Sequence, residues 1–561
     1  MVTTTHNAKR KTNCWLSPVL SKNSKYGALF GVLISSNLSN AQELSVNADI
    51  STSLINQGIE TADPNRPDDI NTLSVKPRLS GEYRTRTFQG RWAGTYTFLD
   101  RELDENSRTD NFAEYLYSAS WSPVDNLLTI TASGAMNYQN VNTDGYLVND
   151  FLLNSEDLSK TRSNRIAAST SVPNGKLLRA FGQVSYAFTD SERSERQNTQ
   201  NLDNDTISAQ GSLQNGTDAE HFFWNVNSSF SATERGGAQS DFISRSVSAN
   251  IDIPLYQNLA FTVVGSHEGN QFGNQTGRAS AAREFNSAGV GLSYRPSNER
   301  RIALTINTSE SELEENDGDT FIGVDINWAF TTRTSFSANY GRRFYGDSAG
   351  VEFSYNAKQV RARLSYSEDV TSFSRLISNP ENLGVFVCAD GIVALSACFQ
   401  PNTLDYQLDA NEQFVQFSSQ NVELNNEVLL RKSLNGQLGY SKRTFSISLD
   451  GRYALDESLE QERQRRLYSV GLTAGIRLGR VTSINSNISY ANTEQRSELQ
   501  PSGDSDTWNA SITLSREFGK RLSVKGSLKY VDRSGTLNTG FGGTDITDRR
   551  ISIGLTYRFL D

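Results

Sequence analysis

The sequence predicts an all-β fold: a closed antiparallel transmembrane β-barrel of about 24 strands (roughly 22–26), with short periplasmic turns and long extracellular loops. Three observations carry this. Segment after segment alternates apolar and polar residues with period 2, the mark of a strand with one oily and one wet face. Tight connections alternate with longer ones along most of the 561 residues. No later segment approaches the ~18 consecutive apolar residues of a membrane helix. Hydrophobic residues make up only 36% of the chain and mean hydropathy is −0.51. That fits strands with half their side chains in water. It argues against ordinary globular domains, where helices, linkers and shifts in composition would break the pattern.

The first element in chain order is an export signal, residues 1–41. Lys9, Arg10, Lys11, Lys22 and Lys25 form a basic region, "YGALFGVLISSNLSNA" supplies a short apolar core, and Ser39 and Ala41 suit cleavage after Ala41. The run from Ala28 to Ile34 is too short to cross ~30 Å of hydrocarbon. Cleavage removes five basic and no acidic residues and moves the net charge from −9 to −14. Such a balance argues against nucleic-acid binding.

The barrel is expected over 42–561. Strand pattern starts at "ELSVNADISTSL", so neither a plug nor a passenger domain is expected ahead of it. "LTITASGAMNY", "IGVDINWAF" and "LSVKGSLKY" each place one large or apolar set opposite a small or polar set. "RTFQG", "SPVDN", "PLYQN", "NAKQ", "SKRT", "LGRV" and "EFGKR" read as tight turns, and 312–318, 371–428, 455–465 and 494–506 as longer connections. The segments 139–160 and 371–428 are candidates to constrict or cap a lumen that would otherwise leak. The final stripe, Ile551, Ile553, Leu555, Tyr557 and Phe559, reads as the lipid face of the last strand. That strand must pair with the first, because an open edge in lipid strands backbone groups at several kcal/mol each. A closing strand with a terminal aromatic resembles the signal read by the outer-membrane barrel assembly machinery.

The polar faces carry charge. Lys76, Arg78 and Arg84 share one parity; Arg361 and Arg363 share another strand's; Lys525, Lys529 and Arg558 lie near the C-terminus. Barrel closure brings the first and last of these sets together, and rings of Lys or Arg favour anions in pores. Asp49, Glu82, Asp325, Glu352, Asp450 and Glu517 fall on polar faces too and can neutralise the patch. Cys388 and Cys398, inside the longest loop, suit a small disulfide ring in an exported chain. No catalytic triad spacing, cofactor motif or calcium-loop pattern is visible. The histidines beyond the signal, His221 and His267, read as surface residues.

"LSVKPRLSGEYRTRTFQGRWAGTYTF" followed by "TDNFAEYLYSASWSPVDNLLTITASGAMNYQNV" resembles the PEP-CTERM (exosortase) system-associated outer-membrane β-barrel family, related to porin-like barrels of exopolysaccharide loci. The resemblance implies a Gram-negative outer membrane. It also implies contact with its lipid and lipopolysaccharide, and a setting of exopolysaccharide and its export proteins. It brings no catalytic residues. The function expected is passage of exopolysaccharide or related solutes. A general or sugar-selective porin, and a structural or adhesive surface barrel, stand as alternatives.

Overall fold

Twenty-four antiparallel strands form one hydrogen-bonded ring in the computed structural model. It describes residues 43–559 except 62–68, 104–105, 126, 141–149, 154–157, 193–202, 220, 237–240, 273–280, 298, 312–317, 373–374, 376–384, 390–397, 400–411, 417–426, 498–501 and 538–544. The expected signal segment, 1–41, lies outside the described residues.

The ring opens with β1 (Glu43–Thr61), β2 (Asp69–Arg84), β3 (Phe88–Leu103), β4 (Asn106–Val124), β5 (Leu128–Asn140) and β6 (Leu158–Val172). It continues through β7 (Leu178–Ser191), β8 (Asp203–Asn215), β9 (Phe223–Arg235), β10 (Phe242–Tyr256), β11 (Leu259–Phe272) and β12 (Ala281–Ser297). Next come β13 (Arg300–Ser311), β14 (Thr320–Thr331), β15 (Thr334–Arg343), β16 (Gly346–Asn356) and β17 (Val360–Ser372). Three short strands, β18 (Val385–Ala389), β19 (Cys398–Phe399) and β20 (Glu412–Gln416), form a separate sheet inside the longest connection. The ring resumes with β21 (Val428–Lys442), β22 (Phe445–Ser458), β23 (Arg463–Arg477) and β24 (Thr482–Ser497). It ends with β25 (Gly503–Phe518), β26 (Leu522–Gly535) and β27 (Ile546–Arg558).

Each strand pairs with its neighbours in sequence, and β17 pairs with β21 across the insertion. β27 closes on β1, from Asp49 opposite Arg558 to Thr61 opposite Ile546. Closure leaves no unpaired edge, which is the only way a sheet can meet lipid on one face.

One rim has short connections, of two to seven residues. Gln257 and Asn258 alone join β10 to β11, and Gln257 takes φ 49° to do it. Gly519, at φ 71°, starts the turn between β25 and β26. The other rim is mixed. The expected long connection at 455–465 is instead a tight one, because β22 runs on to Ser458 and β23 restarts at Arg463. The Arg431–Asp456 pair at 2.6 Å and Asp456 opposite Arg465 extend the ladder there, so polar residues that read as loop are strand.

The faces are inverted relative to a water-soluble sheet. On β13 the alternation is unbroken: Arg301, Ala303, Thr305, Asn307 and Ser309 are buried, while Ile302, Leu304 and Ile306 are exposed. Leu304 is 58% and Ile306 64% exposed, against 5% for Asn307. The C-terminal stripe behaves alike, with Ile551 at 57% and Ile553 at 67%. Exposed aromatics mark the tight-turn rim: Tyr256, Phe330, Phe518 and Phe559.

Candidate functional site

The inward face can be fixed from a single ion pair. Arg235, at the end of β9, holds Glu460 of the β22–β23 turn through two bonds, at 2.7 and 3.0 Å. These elements stand far apart round the ring, so their side chains meet only across the interior. Both are almost fully buried, at 0% and 3% of their side chains. Register then carries that parity from strand to strand. It places Lys76, Arg78, Arg84, Arg361, Arg363, Lys525, Lys529 and Arg558 all inward, together with Asp49, Glu82, Glu352 and Asp450.

The bridge belongs to a larger closure at the rim opposite the tight turns. Glu460 also accepts the backbone N–H of Val428. Val428 packs with Phe242 and Phe272, and with Val370 and Leu459. Arg375, just past β17, reaches β9 and β10: it donates to Thr233 Oγ1 and Ser231 O at 3.0 Å and to Phe242 O at 3.1 Å, and lies 3.6 Å over the Phe242 ring. Glu427, at the far end of the same insertion, pairs with Arg463 at 3.1 Å. Both ends of 371–428 are thus fastened to the wall. The tip of the insertion places Cys388 opposite Cys398 in backbone register; the side chains that would form the expected disulfide lie outside the described ones.

A second closure sits at the seam. The segment Asp150–Leu153, from the connection between β5 and β6, folds inward. Leu153 joins Ile59, Ile70 and Val531, and Leu152 joins Leu99, Phe112 and Leu158. Asp150 receives Lys529 Nζ at 2.6 Å and Arg550 Nη1 at 2.9 and 2.8 Å. Asp548 also binds Arg550 and takes Gln57 Nε2 at 3.1 Å. Arg101 donates to the carbonyls of Phe151 and Leu152, and pairs with Asp110 at 3.1 Å. Burial alone would push the Asp150 carboxyl up; Lys529 and Arg550 outweigh it and hold the group well below the usual carboxylate range.

The sequence-predicted basic residues do not form one patch. At the seam, cross-strand register stacks them as a track. Arg84, opposite Glu43, lies nearest the tight turns, and Arg558, Asp49 and Arg78 share a level further in. Lys76 stands opposite Ser51, Lys525 opposite Gly554, and Lys529 opposite Arg550 directly under Asp150. Among the described residues, Lys76, Arg78, Lys525 and Arg558 make no ion pair within 4 Å, although Asp150 and Glu114 stand near enough to Lys76 to attract it. Elsewhere carboxylates take the charge: Glu82 lies 3.9 Å from Arg84 and 2.9 Å from Arg91, and Glu352 lies 3.0 Å from Arg363. Arg361 and Arg363, on β17, lie on the wall away from the seam.

Sequence reasoning missed Arg235, Glu460, Arg375 and Arg550. A buried charge in a polar loop or at a strand end gives no periodic signal, and its partner is set by the ring, not by spacing. It did single out the segment containing Asp150.

No protein-family model matches this sequence, and no curated protein does. Among solved structures, the siderophore receptor PirA from Pseudomonas aeruginosa is similar at 11% identity and a TM-score of 0.35, over 92% of this chain and 80% of that one. The FrpB iron transporter from Neisseria meningitidis (F3-3 variant) matches at 9% and 0.41, over 92% and 81%. BauA, the ferric preacinetobactin receptor from Acinetobacter baumannii, matches at 10% and 0.41, over 92% and 81%. The architecture described above rests on the strand ring itself.

Proposed function

We propose that the protein is an outer-membrane barrel that passes anionic solutes, and that its physiological cargo is an acidic exopolysaccharide or a fragment of one. The observation that carries the membrane reading is the inverted face of β13, with Leu304 and Ile306 outward and Arg301 and Asn307 buried. Burial of such side chains is worth about 1.5–3 kcal/mol each. A belt of them all round a closed ring far exceeds the few hundred Å² of apolar patch that a soluble monomer leaves exposed. Lipid is the solvent that satisfies it. The tight-turn rim with its aromatic girdle is then periplasmic, and the closed rim faces outward.

The seam track supports anion passage. A column of Lys and Arg with few carboxylates beside it inside a wall is costly unless water or a passing anion solvates it. The exopolysaccharide setting rests on the family resemblance of the N-terminal strands. Deleting the gene and measuring polysaccharide inside and outside the cell tests it. Periplasmic accumulation with loss from the medium is expected; normal export would overturn it.

The two closures favour a second reading, a surface barrel whose filled rim serves structure and whose loops bind matrix. Single-channel recording separates them: steady current that grows when a closure is removed belongs to the transport reading.

A further inference from the structure

The insertion at the seam has the chemistry of an occupant. Asp150 gives both carboxylate oxygens to Arg550 and one to Lys529, at 2.6 to 2.9 Å. One residue on, Phe151 lies flat on Phe112, with ring centroids 4.1 Å apart and planes 20° apart. Tyr138 stands edge-on to both rings, at 5.0 and 5.6 Å. Two consecutive residues thus place a carboxylate between two cations and, beside it, a planar apolar body against an aromatic wall. The basic track of Lys525, Lys76, Arg78 and Arg558, with Asp49 in register between the last two, leads up to this point from the other rim.

From this juxtaposition we propose that Lys529 and Arg550, with the Phe112–Tyr138 wall, form a subsite for a carboxylated sugar, and that Asp150–Phe151 is its tethered stand-in. A uronate carries the same pair of features: a carboxylate suited to a guanidinium and an ammonium, and a ring with an apolar C–H face. The tether competes with the sugar, so the apparent affinity of the wild type is lowered by the fraction of time that the seat is filled. The inference deepens the channel reading and rests on it for its physiological meaning.

The test is calorimetric titration of the full chain in detergent with trigalacturonate, with maltotriose as the neutral control. Asp150→Asn is expected to bind trigalacturonate at least ~10-fold more tightly than the wild type. Adding Lys529→Gln should abolish the gain, and maltotriose should bind none of the variants. Equal affinity in wild type and Asp150→Asn, or a gain that survives Lys529→Gln, overturns the subsite. If Asp150→Asn loses the heat-modifiable gel migration of a folded barrel, Leu153→Ser, which loosens the apolar anchor instead, is titrated the same way and carries the same two outcomes. The wild-type reversal potential in a KCl gradient reports separately on the channel. Anion selectivity with no gain in binding would sink the subsite alone, and a gain in binding without any current would sink the channel alone.

Discussion

Arg235 shows how much a single side chain can hold in this wall. Its guanidinium and the Glu460 carboxylate are both out of water, so truncating either takes away the opposite charge that the other is bonded to. Arg235→Ala is expected to cost about 3–5 kcal/mol, and the double variant with Glu460→Ala distinctly less than twice that. Urea titration in lipid vesicles reads the first; a larger single-channel conductance in both variants reads the loss of the bridge. Asp150 makes a prediction about pH. Its carboxyl is held below its unfolded value, so its contribution is present above the ordinary carboxylate range and disappears only as pH falls through the depressed folded value. The charged groups facing it are Lys529, Arg550 and Lys76, with Asp548 and Arg101 behind them. The insertion should therefore remain seated between pH 8 and 5. Conductance that rises on acidification within that window in the wild type, but not in Asp150→Asn, would contradict this.

The elements were legible in the sequence where a single face alternates and opaque where two closures meet. β26 and β27 could be read residue by residue, since lipid on one side and water or packed polar groups on the other enforce period 2. The short connections announced themselves through Gly, Asn and Pro. The opposite rim did not, because strand ladders there run on past the apolar belt with charged pairs such as Arg431–Asp456. Composition cannot tell such a ladder from a polar loop. At this scale, Ile306→Arg on the outer face of β13 should destabilise the barrel by about 2–4 kcal/mol if it sits near the midplane. Arg at Asn307, on the other parity, should be borne far better. Equal effects in vesicle unfolding would mean that the faces are assigned the wrong way round. Deleting 373–426 while keeping β17 and β21 removes the Arg375 tie and should raise conductance; no change would place the insertion outside the conduction path.

The whole molecule is a ring that the primary structure describes well at its seam and poorly across its interior. That the first and last strands meet follows from the cost of an open edge in lipid, and Asp49 does lie between Arg78 and Arg558 in register. That Arg235 would meet Glu460 depends on the shape of the closed ring, to which neither local sequence points. The same distinction applies to charge. The chain is acidic overall at −9, yet the inward parity at the seam is rich in Lys and Arg, with Asp150 folded in as a counter-charge. Field inside a lumen follows the inward residues, not the net charge of the chain. The measurement that bears most directly on this account is the reversal potential of the full chain in a planar bilayer across a KCl gradient, compared with Lys525→Glu/Lys529→Glu. The account predicts an anion-selective current that turns toward cation selectivity in the double variant. A current whose selectivity ignores the reversal, or no current even after Arg235→Ala releases the rim, would contradict it.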